Sequence, residues 1–212
     1  MQVIATDVLD TKEKMVNMAQ EQLKKPGFAI DPYFYRSHVT YQSELEHIIF
    51  KSWLYAGHVS QIPNKGDYFL FDIGEDSIII CRDRKEEIHA MHNMCRHRGA
   101  RVCEEPSGNC RVFACPYHGW GYALDGTLKA ARDMRDVEGF NFEDYGLLHV
   151  RMEIFQGMIF INCDPDAPDF KKPLSKISKQ LGAYDLENAK VAEAKTYKID
   201  ANWKLCLENY LE

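Results

Sequence analysis

No stretch of this sequence is apolar for long enough to cross a bilayer, since nothing approaches the roughly 18 residues a spanning helix needs. The opening Met1-Gln2-Val3-Ile4-Ala5-Thr6-Asp7 has no basic segment leading into an apolar run, so no secretory signal is expected and a cytoplasmic location is. Positive charge is also short. A formal net charge of -6 argues against nucleic acid as the main partner, because phosphate binding needs a basic surface. Neither a nucleic-acid nor a membrane partner is expected. Internal repeats and low-complexity tracts are absent. Cysteine is present but does not suit a secreted disulfide framework. The seven cysteines, at 81, 95, 103, 110, 115, 163 and 206, are odd in number and spread over a 212-residue chain. In a reducing compartment, clustered Cys and His point to metal or redox chemistry instead.

What is present divides into three stretches. The first reads as helical. Asp10-Thr11-Lys12-Glu13 looks like a helix start, Met15, Met18, Ala19 and Leu23 recur at helical spacing, and Pro26-Gly27 ends the segment. A second helix is expected from Ser43 to Trp53, with Ser43 and Glu46 at capping-box spacing and Leu45, Ile48, Ile49 and Trp53 on one face. The middle is β-type. Short runs at 68–73, 77–82, 87–92, 111–114, 121–124, 127–131, 147–155 and 158–162 are separated by turn residues. Asp125-Gly126 is a two-residue hairpin signal. Many short strands at close spacing suggest a small antiparallel sandwich or barrel. Three prolines between 165 and 173 then look like a connection between domains. A strand near Ala194–Ile199 and a helix over Trp203–Glu212 follow, and the chain stops while the helical pattern is still running. The expected division is therefore 1–45, 46–163 and 164–212.

The chemistry sits in Cys95-Arg96-His97-Arg98-Gly99 and Cys115-Pro116-Tyr117-His118-Gly119-Trp120. Each half holds one Cys and one His, and seventeen residues separate His97 from Cys115. Structural zinc sites usually pair Cys with Cys and His with His, at C-x2-4-C and H-x3-5-H spacing. Here each pair is mixed. In a Rieske centre two Cys hold one iron of a 2Fe-2S cluster and two His hold the other, so two loops that each give one Cys and one His can clasp it from both sides. Cys95, His97, Cys115 and His118 are the expected ligands. Trp120 could shield the cluster or simply fill the core. Arg96, Arg98 and Arg101 could attract an acidic electron donor or form a solvated patch. Cys103 and Cys110 are read as structural, and His58, His89 and His92 as packing or surface residues. Gly99 and Gly119 are expected to let the backbone approach the cluster sulfurs.

These motifs, together with Trp53-Leu54-Tyr55-Ala56-Gly57-His58, Gly66-Asp67-Tyr68, His92-Asn93-Met94-Cys95 and Asn202-Trp203-Lys204 onward to Glu212, resemble the catalytic α subunits of Rieske-type non-haem iron oxygenases. The likeness runs from about residue 30 to the end. It implies a mostly β Rieske domain, a small antiparallel sandwich or barrel with two cluster-binding loops. N-terminal helices and the truncated start of an α+β catalytic domain would flank it. In the respiratory branch an extra disulfide beside the ligands accompanies high potentials, at positions that are Ala100 and Tyr117 here. The lower part of the Rieske range is therefore expected. The resemblance also implies a mononuclear Fe(II) held by two His and a carboxylate. No histidine follows His149, so that site is expected only in a longer protein. The 212 residues alone would then transfer electrons without oxygenating anything.

In the family an acidic residue just ahead of the first iron-ligand His bridges the Rieske cluster of one subunit to the mononuclear iron of its neighbour, and Glu212 stands at that position. Glutamate there resembles the branch that oxidises quaternary ammonium compounds such as carnitine, glycine betaine and proline betaine. Ring-hydroxylating dioxygenases commonly have aspartate. The implied partners are an NAD(P)H-oxidising flavin reductase, with or without a ferredoxin, and two further copies of the subunit in a homotrimer. The alternatives are an aromatic-ring-hydroxylating dioxygenase α subunit or a standalone Rieske ferredoxin. Such carriers are typically about half this length and lack both the N-terminal helices and the Asn202-Trp203-Lys204 region.

Overall fold

The computed structural model describes residues 10–175 and 177–211. Two compact units are present. One runs Lys51–Glu193, and the other joins the chain up to Phe50 with the stretch from Ala194 onward.

The larger unit is built from ten short strands in three antiparallel sheets. β1 (Leu54–His58), β10 (Met158–Asn162) and β9 (Arg151–Phe155) form one sheet, in the order β1-β10-β9. β4 (Ile88–His92), β3 (Asp76–Arg82), β2 (Asp67–Ile73) and β5 (Ser107–Asn109) form the second, in that order. The third joins β6 (Phe113–Ala114), β7 (Gly121–Tyr122) and β8 (Leu128–Ala130). The mostly β, antiparallel architecture with helices at the N-terminal side agrees with the sequence reading.

β3 shows why the second sheet is internal. Ile78, Ile79, Ile80 and Cys81 are all fully buried, so both faces of the strand are covered. Alternate side chains point to opposite faces. Ile79 and Cys81 enter one core with Met91, Phe113, Tyr122, Leu124, Leu128 and Leu147. Cys95, Cys115 and Trp120 are buried in that same core, so the candidate ligand loops rest on it.

Several elements differ from expectation. The helix expected over 43–53 begins at Ser37, whose Oγ accepts from the Thr40 N–H at 2.9 Å. It runs His38–Glu44 and widens into a π-helical turn over Leu45–Ile49, closed by the Phe50 N–H donating to the Leu45 carbonyl at 2.9 Å. The Ser43/Glu46 spacing lies inside a helix already begun. The run 147–155 is not one strand. His149 bridges Met91, with the His92 N–H donating to the Leu148 carbonyl at 2.8 Å, and only Arg151–Phe155 pairs with β10. One apolar stretch thus leaves one sheet for another. The Asp125-Gly126 signal marks a longer turn than two residues. The Gly126 N–H donates to the Ala123 carbonyl, the Ala123 N–H donates to the Thr127 carbonyl, and Gly126 takes φ +84°. This is a three-residue loop with glycine at the left-handed position. β5 was not expected, because Ser107-Gly108-Asn109 has no β-branched or aromatic residue. It is an exposed edge paired with β2. No strand forms over 194–199. That stretch is irregular and exposed throughout, without a neighbouring strand among the described residues to pair with.

The proline-rich segment packs within the larger unit. Arg151 Nη1 donates to the carbonyls of Pro165 and Ala167, Trp53 Nε1 donates to the Pro168 carbonyl at 2.9 Å, and Phe170 packs between Trp53 and Phe160.

In the other unit, the first helix is Lys12–Leu23, with Thr11 Oγ1 accepting from the Lys14 N–H, as its sequence indicated. The helix Trp203–Leu211 is tied to the helix His38–Glu44. Trp203 Nε1 and Lys204 Nζ both donate to the Glu44 carboxylate, at 3.0 and 2.7 Å. No helix among the described residues is long and apolar enough to cross a membrane.

Candidate metal centre

The two Cys/His loops share one backbone design. In the first, the Cys95 N–H donates to the Ala100 carbonyl at 2.8 Å and the Gly99 N–H to the Cys95 carbonyl at 2.9 Å. In the second, the Cys115 N–H donates to the Trp120 carbonyl at 2.8 Å and the Gly119 N–H to the Cys115 carbonyl at 3.0 Å. Each loop therefore reverses over five residues from its Cys, and the glycine four positions on closes it. Gly99 and Gly119 have φ +74° and +71°. A Cβ on Gly119 would meet nothing within 4 Å, and on Gly99 only Met94 Sδ at 4.0 Å. Among protein atoms the glycines are therefore needed for backbone sign, not for close approach.

This design separates the two kinds of donor. Cys95 and Cys115 are buried. The His97 and His118 rings meet edge to face at the more exposed rim, centroids 4.6 Å apart and planes 74° from parallel. Burial, together with the Cys95 thiol beside it, holds the Cys115 thiol above its usual pKa, while the N–H groups of Tyr117 and His118 pull the other way. Two buried sulfurs, with the Tyr117 and His118 N–H groups aimed at Cys115, suit a bound metal, since bound thiolate is anionic and needs donors around it. His97 is held below the usual imidazole value by desolvation, by His118 and by Arg98. Neutral imidazole is the form that binds metal.

The spacing also distinguishes one metal from two. Among the described residues, the group of three whose ligating atoms all lie within 4.8 Å of one another is Asp83, Glu87 and His89. The four loop residues instead form a buried sulfur pair and an imidazole pair at the rim. A single tetrahedral zinc would gather all four donor atoms at one point. Separate thiolate and imidazole pairs match the donor set of a Rieske cluster, so the residues present fit that group. The Asp83 group is a turn already satisfied from within. Asp83 accepts from the Lys85 and Glu87 N–H groups at 2.8 Å each and meets His89 Nε2 at 3.2 Å.

Residues outside the motif complete the site. Tyr122 is fully buried with its phenol oxygen 3.2 Å from Cys95 Sγ, and it also accepts from the Arg96 N–H at 3.0 Å. Asn93 pins the far end of the first loop. Its Oδ1 accepts from the Val102 and Cys103 N–H groups, and its Nδ2 donates to the Cys103 carbonyl at 2.7 Å. Tyr122 carries no signal in the sequence beyond its nearness to the motif, whereas Asn93 belongs to the His92-Asn93-Met94-Cys95 stretch that carries the resemblance. Trp120 is buried and stacks on His97, at 4.9 Å and 10°.

The arginines do not act as one patch. Arg96 donates to the Gly146 carbonyl at 3.2 Å, Arg98 stands exposed beside His97, and Arg101 pairs with Asp72 at 3.7 Å on the surface. Burial pushes the Cys103 thiol up to about 12 and raises Cys110 as well, in line with structural roles. His58 is buried in packing, with Nδ1 at 2.9 Å from Ser60 Oγ and Nε2 at 3.0 Å from the Leu186 carbonyl. Glu212 lies outside the described residues.

Residues 52–141 match the Rieske [2Fe-2S] domain. The chain is 36% identical over 186 residues to the glycine betaine monooxygenase oxygenase subunit of Pseudomonas aeruginosa, covering 88% of this chain and 43% of that one. It is 36% identical to the biphenyl 2,3-dioxygenase subunit alpha of Rhodococcus jostii, covering 85% of this chain and 40% of that one. The structure resembles that of the quaternary ammonium Rieske monooxygenase CntA in complex with L-carnitine. The TM-score is 0.77 at 32% identity, over 85% of this chain and 52% of that one. The chain spans about half the length of the relatives it matches. It carries a Rieske [2Fe-2S] domain, and over the portion it spans it is similar to the oxygenase subunits of Rieske oxygenases.

Proposed function

We propose that Cys95 and Cys115 hold one iron of a Rieske 2Fe-2S cluster and His97 and His118 the other, and that the chain passes single electrons within an NAD(P)H-dependent oxygenase. The observation behind this is the repeated loop, which turns two sulfurs into the core and two imidazoles toward the rim. When bound, such a cluster accepts and releases one electron at a time. The chain's own residues set the conditions. Tyr122 holds its phenol oxygen 3.2 Å from Cys95 Sγ, where it would donate to a bound thiolate, Trp120 excludes water beside His97, and the N–H groups of Tyr117 and His118 face Cys115. Two neutral imidazoles in place of thiolates make the cluster easier to reduce, within about −150 to +300 mV. Ala100 and Tyr117, where the disulfide of high-potential members would lie, favour the lower part of that range.

The test is spectroscopic. The reconstituted chain is expected to hold about two irons and to show the anisotropic EPR of a Rieske cluster, with His97→Cys and Cys115→Ala each abolishing it. A Rieske spectrum that survived either change, or stoichiometric zinc in place of iron, would refute the assignment.

For the whole protein the proposal is hydroxylation or oxidative N-demethylation of a quaternary ammonium compound with O2. Its mononuclear Fe(II) would be held outside these 212 residues and reached through Glu212. The carnitine and glycine betaine relatives support this substrate class, and the biphenyl relative supports ring hydroxylation as the second reading. A flavin reductase, with or without a ferredoxin, would supply the electrons, and the subunit would assemble as a homotrimer. Substrate-dependent O2 uptake by the full-length protein with glycine betaine or L-carnitine, and not with biphenyl, is expected. No uptake with either class would leave a free-standing electron carrier.

A further inference from the structure

The aromatic residues behind the cluster loops form a continuous row. Trp120 stacks on His97 with centroids 4.9 Å apart and planes 10° from parallel. Its other edges meet Phe140 at 5.7 Å and Tyr145 at 5.9 Å, both near perpendicular. Phe140 and Tyr145 stack on each other at 4.6 Å and 23°, and Phe142 meets Phe140 at 5.4 Å. Trp120 is buried, whereas Phe140, Phe142 and Tyr145 are half-buried. The chain of rings therefore begins at a candidate ligand and reaches the surface at the 3-10 turn Phe142–Tyr145, where Glu143 and Asp144 are exposed. Phe142, Glu143 and Asp144 border a groove with Arg96 and Lys129. His97, His118 and Tyr117 line a different depression with Arg132 and Asp133.

We propose that Trp120, Phe140 and Tyr145 form an electron bridge from a surface port at the 142–145 turn to His97. The inference rests on the Rieske reading above. Aliphatic side chains would fill this space as well as rings do, but only contiguous π systems in van der Waals contact offer strong electronic overlap along the whole path. The step moves one electron from a one-electron redox protein docked at the port into the cluster. The donor is oxidised by one electron, the cluster is reduced by one, and no bond or proton changes hands. The His97/His118 depression is left free for the electron to leave. The port and that depression are separate surfaces, so a donor and an acceptor need not compete for one.

The test uses the cluster-loaded chain with Cys206→Ser, which removes an exposed thiol. A ruthenium-bipyridine photosensitiser is attached through Glu143→Cys, at the port, or through Arg132→Cys, beside the His97/His118 depression. Flash illumination with a sacrificial reductant then injects one electron. With the label at 143, Tyr145→Leu and Phe140→Leu are each expected to slow cluster reduction roughly tenfold or more. Their EPR, midpoint potential and rate from the label at 132 should match the parent. Tyr145→Leu and Phe140→Leu carry the test, because Trp120 touches His97 and its loss would alter the cluster's own surroundings. An unchanged rate from 143 in both Tyr145→Leu and Phe140→Leu overturns the bridge. So does equal slowing from both label sites, which would mark a disturbed cluster instead of a broken path. Absence of a Rieske signal in the parent overturns the underlying reading together with the bridge, whereas a normal signal with unchanged rates overturns the bridge alone.

Discussion

Beside Cys95, the Tyr122 phenol oxygen accepts the Arg96 N–H and lies 3.2 Å from the sulfur. A thiolate bound to metal can only accept, which makes this O–H···S bond charge-assisted. The bond strengthens as the cluster gains an electron, because more negative charge then sits on sulfur. Removing it with Tyr122→Phe should lower the midpoint potential. A bond to a charged acceptor is worth about 1.5–3 kcal/mol, and only the part that differs between redox states counts. At about 59 mV per tenfold change for one electron, a fall of roughly 30–60 mV is expected. Protein-film voltammetry on the variant checks this, and the visible spectrum should survive. An unchanged potential would mean that the phenol serves packing alone.

Turns at the scale of single elements hold the cluster sheets in register. Gly126 sits at φ +84°, and a Cβ there would meet Met91 Sδ at 2.7 Å and His149 Nε2 at 3.2 Å. Met91 is fully buried and has little room to move. Gly126→Ala should therefore cost about 1–3 kcal/mol in a urea titration, from backbone strain and overpacking together. The β3–β4 turn depends on Asp83 instead. Burial raises its pKa, but the bonds from His89 and from the Glu87 and Lys85 N–H groups outweigh that and hold it below the ordinary 3.8. A carboxyl depressed on folding contributes stability above its unfolded pKa of about 3.9 and loses it as pH falls through the folded value. The parent should thus lose more stability than Asp83→Asn between about pH 4 and pH 2, as followed by acid denaturation. Parallel acid profiles would remove Asp83 from the account.

For the whole molecule, the unit built from both ends of the chain is joined by bonds far apart in sequence, among them Tyr35 to Glu208, Asn202 to the Tyr35 carbonyl, and Lys204 to Glu44. The Lys204 ammonium and the Glu44 carboxylate are each only 13% exposed and meet at 2.7 Å, with Trp203 Nε1 donating to the same carboxylate. Removing one partner of a sheltered pair leaves the other charge without compensation. Lys204→Met should raise hydrogen exchange across 33–44 and 203–208 and destabilise that unit by about 1–3 kcal/mol. The cluster spectrum should not change, because all four candidate ligands lie in the Lys51–Glu193 unit. A change in the spectrum would show that the two units depend on each other.

The sequence alone determined the donor chemistry. Ligand type and spacing are local properties of the chain, and the mixed Cys/His pairs at 95, 97, 115 and 118 already pointed to two loops and a binuclear cluster. The first helix was legible for the same reason, since Thr11 caps it from within its own turn. Tertiary structure decided what depends on residues distant in sequence. Tyr122 reaches Cys95 across 27 positions, the aromatic chain joins residues 97, 120, 140 and 145, and 147–155 divides between two sheets. The strand expected at 194–199 failed on the same principle. Its β-type composition was present, but a strand exists only where another strand meets its hydrogen bonds.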